Sequence, residues 1–359
     1  MSWFKRGGNI PKGTRWLGLE VGHSAVKGAI LSKKHGKVCL DQFLFEELPG
    51  PKDPNRDGQL TSALAALNLS QYGGIRTALV LEGRQVDVHL IRLPRAIPKK
   101  EREQAALLES LSRMSLNPED AIQAALEQGE VGDEVVMLVA AASKTGLERY
   151  LEAVRRAGVE PDLITIGPVV LGAVPGRDSK KSTVVFNIGS QSTSMAVFHQ
   201  DNLQHAREAR VGSDPITDEL AEMLGDDRSM GESIKRFWRL PKQGETSIPV
   251  DMNGEKFSID PMSLGSLQQL CDELRRSVRF IRERERIPVD EVLLTGGGSL
   301  IAGLSEYLNF PKPVECKTAN SLDGIEIDET KVHRPLLESI APRMSQAIGA
   351  ARLGLESPP

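Results

Sequence analysis

The chain has 359 residues and a formal net charge of −4 at pH 7, which argues against broad nucleic-acid binding because such proteins usually carry a basic footprint. Hydrophobic residues make up 40% of it, enough for a core, and no stretch approaches the ~18 uninterrupted apolar residues of a membrane-spanning helix. Cys39, Cys271 and Cys316 lie far apart, which favours reduced thiols over a zinc site or a disulfide framework.

The chain begins with a predicted disordered tail, residues 1–13, which contains basic residues and no acid. It is interpreted either as a solvated tail or as a segment that binds weakly to an anionic membrane surface. It has no apolar core of the kind that marks a secretory signal.

The first strongly patterned stretch, residues 16–31, predicts an apolar strand, a tight turn and a second apolar strand. Glu20, Gly22, Ser24 and Lys27 stand at or beside the turn. Gly22 frees the backbone, so successive N–H groups can converge on an anion. Taken alone, such a turn is also an ordinary hairpin.

The same pattern returns in residues 183–198. Shifted by 167 positions, Glu20 falls on Asn187 and Gly22 falls on Gly189. A repeat of this kind indicates a duplicated architecture. Two such halves facing each other would hold a phosphate chain between two glycine turns, so the pair favours nucleotide binding.

Residues 84–157, between the two turns, are predicted to form an inserted subdomain. Its expected elements are a half-exposed strand over 86–93, a helix over 99–114, a strand over 134–141 and a helix opened by a capping box of Thr145 and Glu148. The inward face of the first helix is predicted to carry Leu107, Leu108, Leu111 and Met114.

The second half continues with helices, a hairpin and a glycine run. The helices are predicted to begin at Asp214 and at Gly231, to cover 267–281, and to cover 336–355, with a hairpin turn at Asn253-Gly254. Residues 290–299 predict a strand followed by the glycine run 296–298 and a helix. Such a corner either receives phosphate at a helix N-terminus or is a common α/β connection. No P-loop, zinc-protease or EF-hand motif is present, and the histidines show no ligand spacing.

Three glycine elements in this order resemble those of the actin, hexokinase and DnaK type of ATPase. Within that superfamily the chain resembles the PilM family, actin-like proteins of type IV pilus assembly, over about residues 16–355. The resemblance rests on residues 18–27, Leu93-Pro94, 157–161, Glu232-x-x-Lys235 and 347–351. The implied fold class is α/β, an actin-like (ribonuclease H-like) duplicated fold with two core subdomains and inserted subdomains.

The resemblance also implies boundaries. The first core would comprise residues 14–83, 158–180 and 336–357, with 84–157 inserted. The second core would comprise 181–212 and 290–335, with 213–289 inserted as a cap.

ATP would lie between the cores, with Mg held through water at Glu20. Glu20 and Asn187 would form an altered acid pair, since the family usually has aspartate at both positions. The implied nucleotide contacts are Gly22, His23, Ser24, Lys27, Gly189, Ser190, Gln191, Gly212, Glu232, Lys235, Gly296, Gly297, Gly298 and Ser299. Glu20 is longer by one methylene and Asn187 carries no charge, so ATP binding is expected rather than fast hydrolysis.

The family resemblance implies a scaffold that works in the cytoplasm at the inner face of the inner membrane. Its partner would be the N-terminal cytoplasmic peptide of a bitopic PilN-like membrane protein, with other pilus-assembly components also possible and no nucleic acid. The insertion is the expected docking site for this peptide, through the edge of its first strand and its junction with the first core. The alternatives are that the insertion only packs on the core, and that the chain is an active ATPase or a sugar-kinase-like enzyme.

Overall fold

The computed structural model describes residues 15–48, 56–72, 74–81, 86–242, 249–252 and 255–356. The predicted tail of residues 1–13 and the Asn253-Gly254 turn lie outside these ranges. The described part forms two large mixed sheets, a three-stranded sheet, a short hairpin and the helices that cover them.

The strands and helices follow one another along the whole described chain. The strands are β1 Arg15–Val21, β2 Ala25–Lys34, β3 Lys37–Glu47, β4 Arg76–Leu81, β5 Asp87–Pro94, β6 Ala121–Val131, β7 Glu134–Ser143, β8 Leu163–Ile166, β9 Thr183–Ile188, β10 Thr193–His199, β11 Asn202–Ala209, β12 Val250–Met252, β13 Glu255–Phe257, β14 Glu291–Thr295, β15 Glu315–Thr318 and β16 Glu326–Ile327. The helices are α1 Arg56–Ala66, α2 Lys99–Ser110, α3 Lys144–Arg156, α4 Gly167–Gly172, α5 Asp214–Leu224, α6 Arg228–Phe237, α7 Gly265–Glu283, α8 Leu304–Leu308, α9 Arg334–Ile340 and α10 Ser345–Glu356.

The two large sheets share one topology. The first has the order β16-β3-β2-β1-β4-β8, and the second has the order β11-β10-β9-β14-β15. In each, three consecutive strands are antiparallel and the following two lie parallel to the first of them. The duplication predicted from the two glycine turns is therefore confirmed, because both turns connect the first two strands of their sheets.

Helices cover these sheets through faces that the sequence patterns predict well. In α7, Leu267, Leu270, Leu274, Val278 and Ile281 are all buried, as their helical spacing predicts. Against the first sheet, α10 lies so close to β1 that a Cβ on Gly18 would overlap the backbone of Ala347. This close approach explains a glycine in the middle of a buried strand.

The insertion is a sheet of order β5-β7-β6 with a helix on each side. On one face, α2 packs against an apolar cluster formed by residues such as Ile91, Met137 and Val139. On the other side α3 joins the insertion to the first core, where the Tyr150 hydroxyl donates to the carbonyl of Val80 at 3.5 Å. Strand β5 lies at the edge of its sheet, as predicted, whereas β6 was not predicted.

The helix predicted over 99–114 is shorter than expected and rotated. It ends at Ser110, with Leu108 70% exposed and Leu111 38% exposed, so the prediction that these two leucines point inward is wrong. Ala106 and Ser110 are the buried positions: Ala106 belongs to the apolar cluster, and the Ser110 hydroxyl accepts a hydrogen bond from Gln123 on β6 at 2.9 Å. The packed face is therefore narrow and partly polar.

The predicted capping box of α3 is also wrong. Ser143 caps the helix by accepting from the N–H of Gly146 at 3.1 Å. The Thr145 hydroxyl instead donates to Asp120, 3.0 Å away. Asp120 lies beside the N-terminus of β6 and holds this corner of the insertion.

Two predicted helices near the end of the chain are interrupted. The glycine run is followed by a 3-10 turn over Gly297–Leu300, and only the five-residue α8 comes after it. The predicted helix over 336–355 is divided into α9 and α10 by a 3-10 segment, Ala341–Met344, because Pro342 has no N–H to donate to the preceding turn.

The subdomain boundaries stay a prediction. Strand β16 lies within the predicted second-core range 290–335, yet it pairs with β3 of the first sheet. The chain thus returns to the first sheet at Glu326, earlier than residue 336.

Candidate functional site

The first glycine turn connects β1 and β2. The N–H of Gly22 donates to the carbonyl of Ala25 at 3.0 Å, which closes the turn. Glu20 and Lys27 are directly opposite each other in the antiparallel pair, and the Lys27 ammonium donates to Oε1 of Glu20. Both side chains are buried, and Oε2 of Glu20 has no hydrogen-bond partner among the described residues.

The second glycine turn connects β9 and β10 and repeats this geometry. The N–H of Gly189 donates to the carbonyl of Ser192 at 2.9 Å, in the same three-residue relation as at Gly22. Gly212 packs against the turn, where a Cβ would overlap the carbonyl of Ser190. The turn is further held by the N–H of Asp214, which donates to that carbonyl at 2.8 Å.

The glycine run packs against the second turn from β14. Thr295 is opposite Asn187 in the parallel pair, and its hydroxyl donates to Oδ1 of Asn187 at 3.2 Å. Gly296 has φ 81°, and a Cβ there would be only 2.7 Å from the same Oδ1. Only glycine adopts this positive φ easily and leaves room for the Asn187 side chain.

Helices α5 and α6, from the predicted cap of residues 213–289, form another side of the site. The Lys235 ammonium lies between three acceptors: the Thr217 hydroxyl at 2.7 Å, a Glu232 carboxylate oxygen at 2.6 Å and the Ser213 carbonyl at 3.5 Å. Burial opposes the charge of Glu232, yet the Lys235 ammonium holds the pKa of that carboxyl below its ordinary value. Both partners of this ion pair lie on α6, and the Thr217 hydroxyl of α5, which accepts from Lys235 and donates to Glu232 at 2.9 Å, ties the two helices together.

These elements enclose a cavity of about 470 Å³. It is lined by thirteen of the sixteen residues predicted for the site, namely Glu20, Gly22, His23, Ser24, Lys27, Asn187, Gly189, Ser190, Gln191, Glu232, Lys235, Gly296 and Gly297. Gly212, Gly298 and Ser299 are not in the lining. They pack against residues of the lining or their neighbours in the chain, or form a hydrogen bond with a residue of the lining. A Cβ on Gly298 would overlap Ile188, and the Ser299 hydroxyl donates to the carbonyl of Gly296 at 2.7 Å.

Sequence reasoning missed several charged residues of the lining. They are Glu47, Glu208, Asp214, Arg228, Arg236 and Arg343. The arginines come from α6 and from the segment after Pro342, which are separated from the glycine turns by long stretches of chain. No short-range spacing in the sequence marks them.

The acidic groups of the cavity are already engaged by neighbouring side chains. Glu208 accepts from the hydroxyls of Ser192 and Ser194, at 2.5 and 3.4 Å. Asp214 forms an ion pair with Arg228 at 2.9 Å, and burial raises the pKa of Asp214. Both carboxylates are therefore held by donors of the protein itself.

The donor set does not fit a magnesium ion held directly by the protein. Within the described ranges no group of three or more acidic, histidine or cysteine side chains is close enough to hold a metal. At the two turns the one carboxylate, Glu20, is neutralised by Lys27, and Asn187 offers only an amide. Magnesium prefers octahedral oxygen ligands that include carboxylates.

A second cavity, of about 420 Å³, adjoins the first. Its wall includes Leu81 and Pro168 of the first core, Val86 and Val88 of the insertion, and Arg210 after β11. His23, Gln191, Ser192, Ser194 and Glu208 line both cavities. Residues at or after the two glycine turns, together with Glu208 of β11, thus form a shared wall.

No helix in the described part of the chain is long and apolar enough to cross a membrane.

Comparison with known proteins assigns the chain to a family. The model of the family described as "Type IV pilus assembly protein PilM" matches residues 18–354. The cell division protein FtsA of Neisseria meningitidis serogroup B is 25% identical over 237 residues, which cover 60% of this chain and 53% of FtsA. FtsA of Streptococcus pneumoniae is 20% identical over 333 residues, covering 81% of this chain and 72% of that protein.

The chain therefore spans about half the length of the Neisseria meningitidis relative. Among solved structures, a PilM-PilN type IV pilus biogenesis complex superposes with a TM-score of 0.78 at 24% identity, covering 97% of this chain and all of that one. The actin-like, duplicated α/β fold predicted from the sequence is confirmed. Because the family model spans nearly the whole sequence, the chain belongs to the PilM family of actin-like type IV pilus assembly proteins.

Proposed function

We propose that this protein is a scaffold of pilus assembly that binds ATP in the 470 Å³ cavity and turns it over slowly. The observation that carries the proposal is the pair of equivalent turns at Gly22 and Gly189, which line one cavity from the two duplicated halves. Glycine turns suit phosphate groups, because a backbone without bulky side chains lets successive N–H groups approach an anion. Lys27 adds a cationic side chain to the lining.

Slow turnover follows from the chemistry of the acids. Hydrolysis needs a group that orients or deprotonates water. Glu20 is paired with Lys27, Asn187 cannot act as a base, and Glu208 accepts from two serine hydroxyls. An active ATPase or sugar-kinase-like enzyme needs a freer carboxylate than these contacts leave.

Calorimetry with ATP tests the nucleotide proposal. We expect a dissociation constant below about 1 mM, roughly −4 kcal/mol or better, and turnover far below the order of 10 per second of ordinary enzymes. Gly297→Leu should abolish binding, because a Cβ at Gly297 meets only Arg343, at 3.9 Å, and a larger side chain would fill the cavity.

Gly74→Leu is the matched control, since a Cβ there meets nothing within 4 Å and Gly74 lies outside the cavity lining. Absence of binding to the wild type at millimolar ATP would contradict the proposal. Turnover at ordinary enzyme rates would instead favour the ATPase alternative.

The second part of the proposed function is docking of the N-terminal cytoplasmic peptide of a PilN-like membrane protein. The solved relative is itself a PilM-PilN complex, which supports this choice of occupant. In this chain β5 lies at the edge of its sheet, and Val86 and Val88 line the 420 Å³ cavity beside it. An extended peptide can pair with such an edge while its apolar side chains enter the cavity.

Docking of this kind would hold the protein at the inner face of the inner membrane, in the cytoplasm, through the partner's membrane span. The wall of the cavity also carries Arg207 and Arg210, which would add charge pairing to a peptide with acidic residues.

A synthetic peptide with the N-terminal sequence of the PilN-like partner tests the dock. We expect Val88→Asp to weaken peptide binding at least about tenfold, because it places a charge in an apolar contact. Leu108→Asp is the control, since Leu108 is 70% exposed on α2. Thermal unfolding should confirm that both variants fold. Undiminished peptide affinity in folded Val88→Asp would show that the peptide docks elsewhere on the protein.

A further inference from the structure

The C-terminal part of α7 and the residues just after it are rich in arginine. Residues 275–286 contain six arginines and two glutamates. Two of the arginines hold the fold: Arg275 donates to the carbonyls of Tyr307 and Leu308, each at 3.0 Å, and Arg276 pairs with Glu273 at 3.2 Å. Packing of α7 against α8 and an ordinary pair within the helix therefore account for these two.

The remaining four arginines form an exposed cluster, the arginine patch: Arg279, Arg282, Arg284 and Arg286. With respect to the residues that the structure describes, none of these four side chains has an ion pair or a hydrogen bond. Glu285 is engaged elsewhere, because its carboxylate pairs with Arg92 of β5 at 3.6 Å. Glu283 is the other acid of the stretch, so the patch is positive on a chain whose formal net charge is −4.

A partly exposed aromatic ring stands within the patch. The Phe280 side chain is 39% exposed, and its ring centroid lies 5.7 Å from that of His205 on β11, the edge strand of the second sheet. This contact holds the ring at the surface of the molecule. An exposed aromatic ring among basic side chains suits the interface of a bilayer, where anionic headgroups lie above an apolar layer.

The patch adjoins the strand at which the partner peptide is proposed to dock. The pair of Glu285 and Arg92 joins the end of α7 to β5, which lies at the edge of its sheet. A docked PilN-like tail continues into a membrane span, so docking would bring this part of the molecule to a membrane surface. Nucleic acid is disfavoured as the occupant by the net negative charge of the chain.

We propose that the arginine patch binds the anionic headgroups of a phospholipid membrane. The proposal rests on the docking part of the proposed function for the side of the molecule that meets the membrane, and it adds a contact made by this chain itself. Each basic side chain near such a surface strengthens binding about fivefold, so four of them give a weak and reversible attachment. The docked tail and the patch together hold the protein more firmly than either does alone.

Co-sedimentation of the full chain with vesicles, in the absence of any partner peptide, tests the patch. We expect binding to vesicles of equal parts phosphatidylglycerol and phosphatidylcholine at an ionic strength of about 0.1 M, and no binding to phosphatidylcholine alone. Binding should disappear at about 1 M salt, where the Debye length has fallen from about 10 Å to about 3 Å. Arg279→Ala/Arg282→Ala should weaken binding to the anionic vesicles about thirtyfold.

Lys33→Ala/Arg149→Ala is the matched control. It removes the same charge from exposed residues of β2 and α3 that likewise have no ion pair with another described residue, so it should bind like the wild type. Both double variants should keep the thermal unfolding temperature of the wild type.

Equal vesicle binding in the patch variant and the control would overturn the proposal and place the contact on another basic segment, such as residues 1–13. Absence of wild-type binding to anionic vesicles would overturn it as well, and binding to soluble polyglutamate but not to vesicles would assign the patch to an acidic protein instead. Failure of the peptide dock appears in a different measurement, the peptide affinity of Val88→Asp, and would leave the vesicle results unchanged.

Discussion

Asn187 and Glu20 stand at equivalent places in the two halves, but their surroundings differ. Glu20 faces the ammonium of Lys27 across β1 and β2, whereas Asn187 accepts from the neutral hydroxyl of Thr295. The two turns together therefore carry one acidic and one basic group. A divalent cation bound with the phosphates would gain little net attraction from them.

Replacing Asn187 by aspartate should give the two turns two acidic groups against one basic group. We expect Asn187→Asp to make ATP binding more dependent on magnesium, with the ratio of dissociation constants without and with magnesium rising about tenfold. The added carboxylate repels bare phosphates and attracts the cation. Calorimetry in magnesium and in chelator measures both constants.

Asn117→Asp is the matched control, because Asn117 lies on the insertion, where its side chain accepts from the N–H of Glu119. The ratio of dissociation constants without and with magnesium should be higher in Asn187→Asp than in the control. Equal ratios would mean that residue 187 does not interact with the cation. Loss of ATP binding in the presence of magnesium would contradict the same expectation.

At the scale of single elements, the strands and helices marked by a strictly local sequence pattern were predicted most reliably. The strand pairs around Gly22 and Gly189 and the buried face of α7 follow from alternation and helical spacing, and they are confirmed. Thirteen of the residues predicted for the site line the cavity, because the glycine turns that define it are also local motifs.

Elements fixed by distant contacts were not predictable in this way. The inward face of α2 depends on β6, which donates from Gln123 to Ser110, and β6 itself was not predicted. The cap of α3 depends on Asp120, because that carboxylate takes the hydroxyl of Thr145. Arg343 enters the cavity because Pro342 interrupts the last predicted helix and the N–H of Gly296 bonds to its carbonyl.

At the scale of the whole molecule, the cavity is assembled from both sheets and α6. The first sheet supplies the Gly22 turn, the second supplies the Gly189 turn, and α6 closes the remaining side. In the part of the chain that the structure describes, Glu47 at the end of β3 joins the first sheet to α6 through Arg236. A ligand in this cavity would add contacts to all three elements at once.

ATP should therefore slow amide hydrogen exchange in the Gly22 and Gly189 turns together, with α6 protected alongside them. At an ATP concentration of about 100 times its dissociation constant, the ligand stabilises the bound state by about 2.7 kcal/mol, which limits the protection to roughly a hundredfold. Exchange followed by mass spectrometry, with and without ATP, measures this. Helix α2 is the internal control, because none of its residues lines the cavity. Protection confined to one turn would mean that the nucleotide contacts a single half of the molecule, which would contradict this prediction.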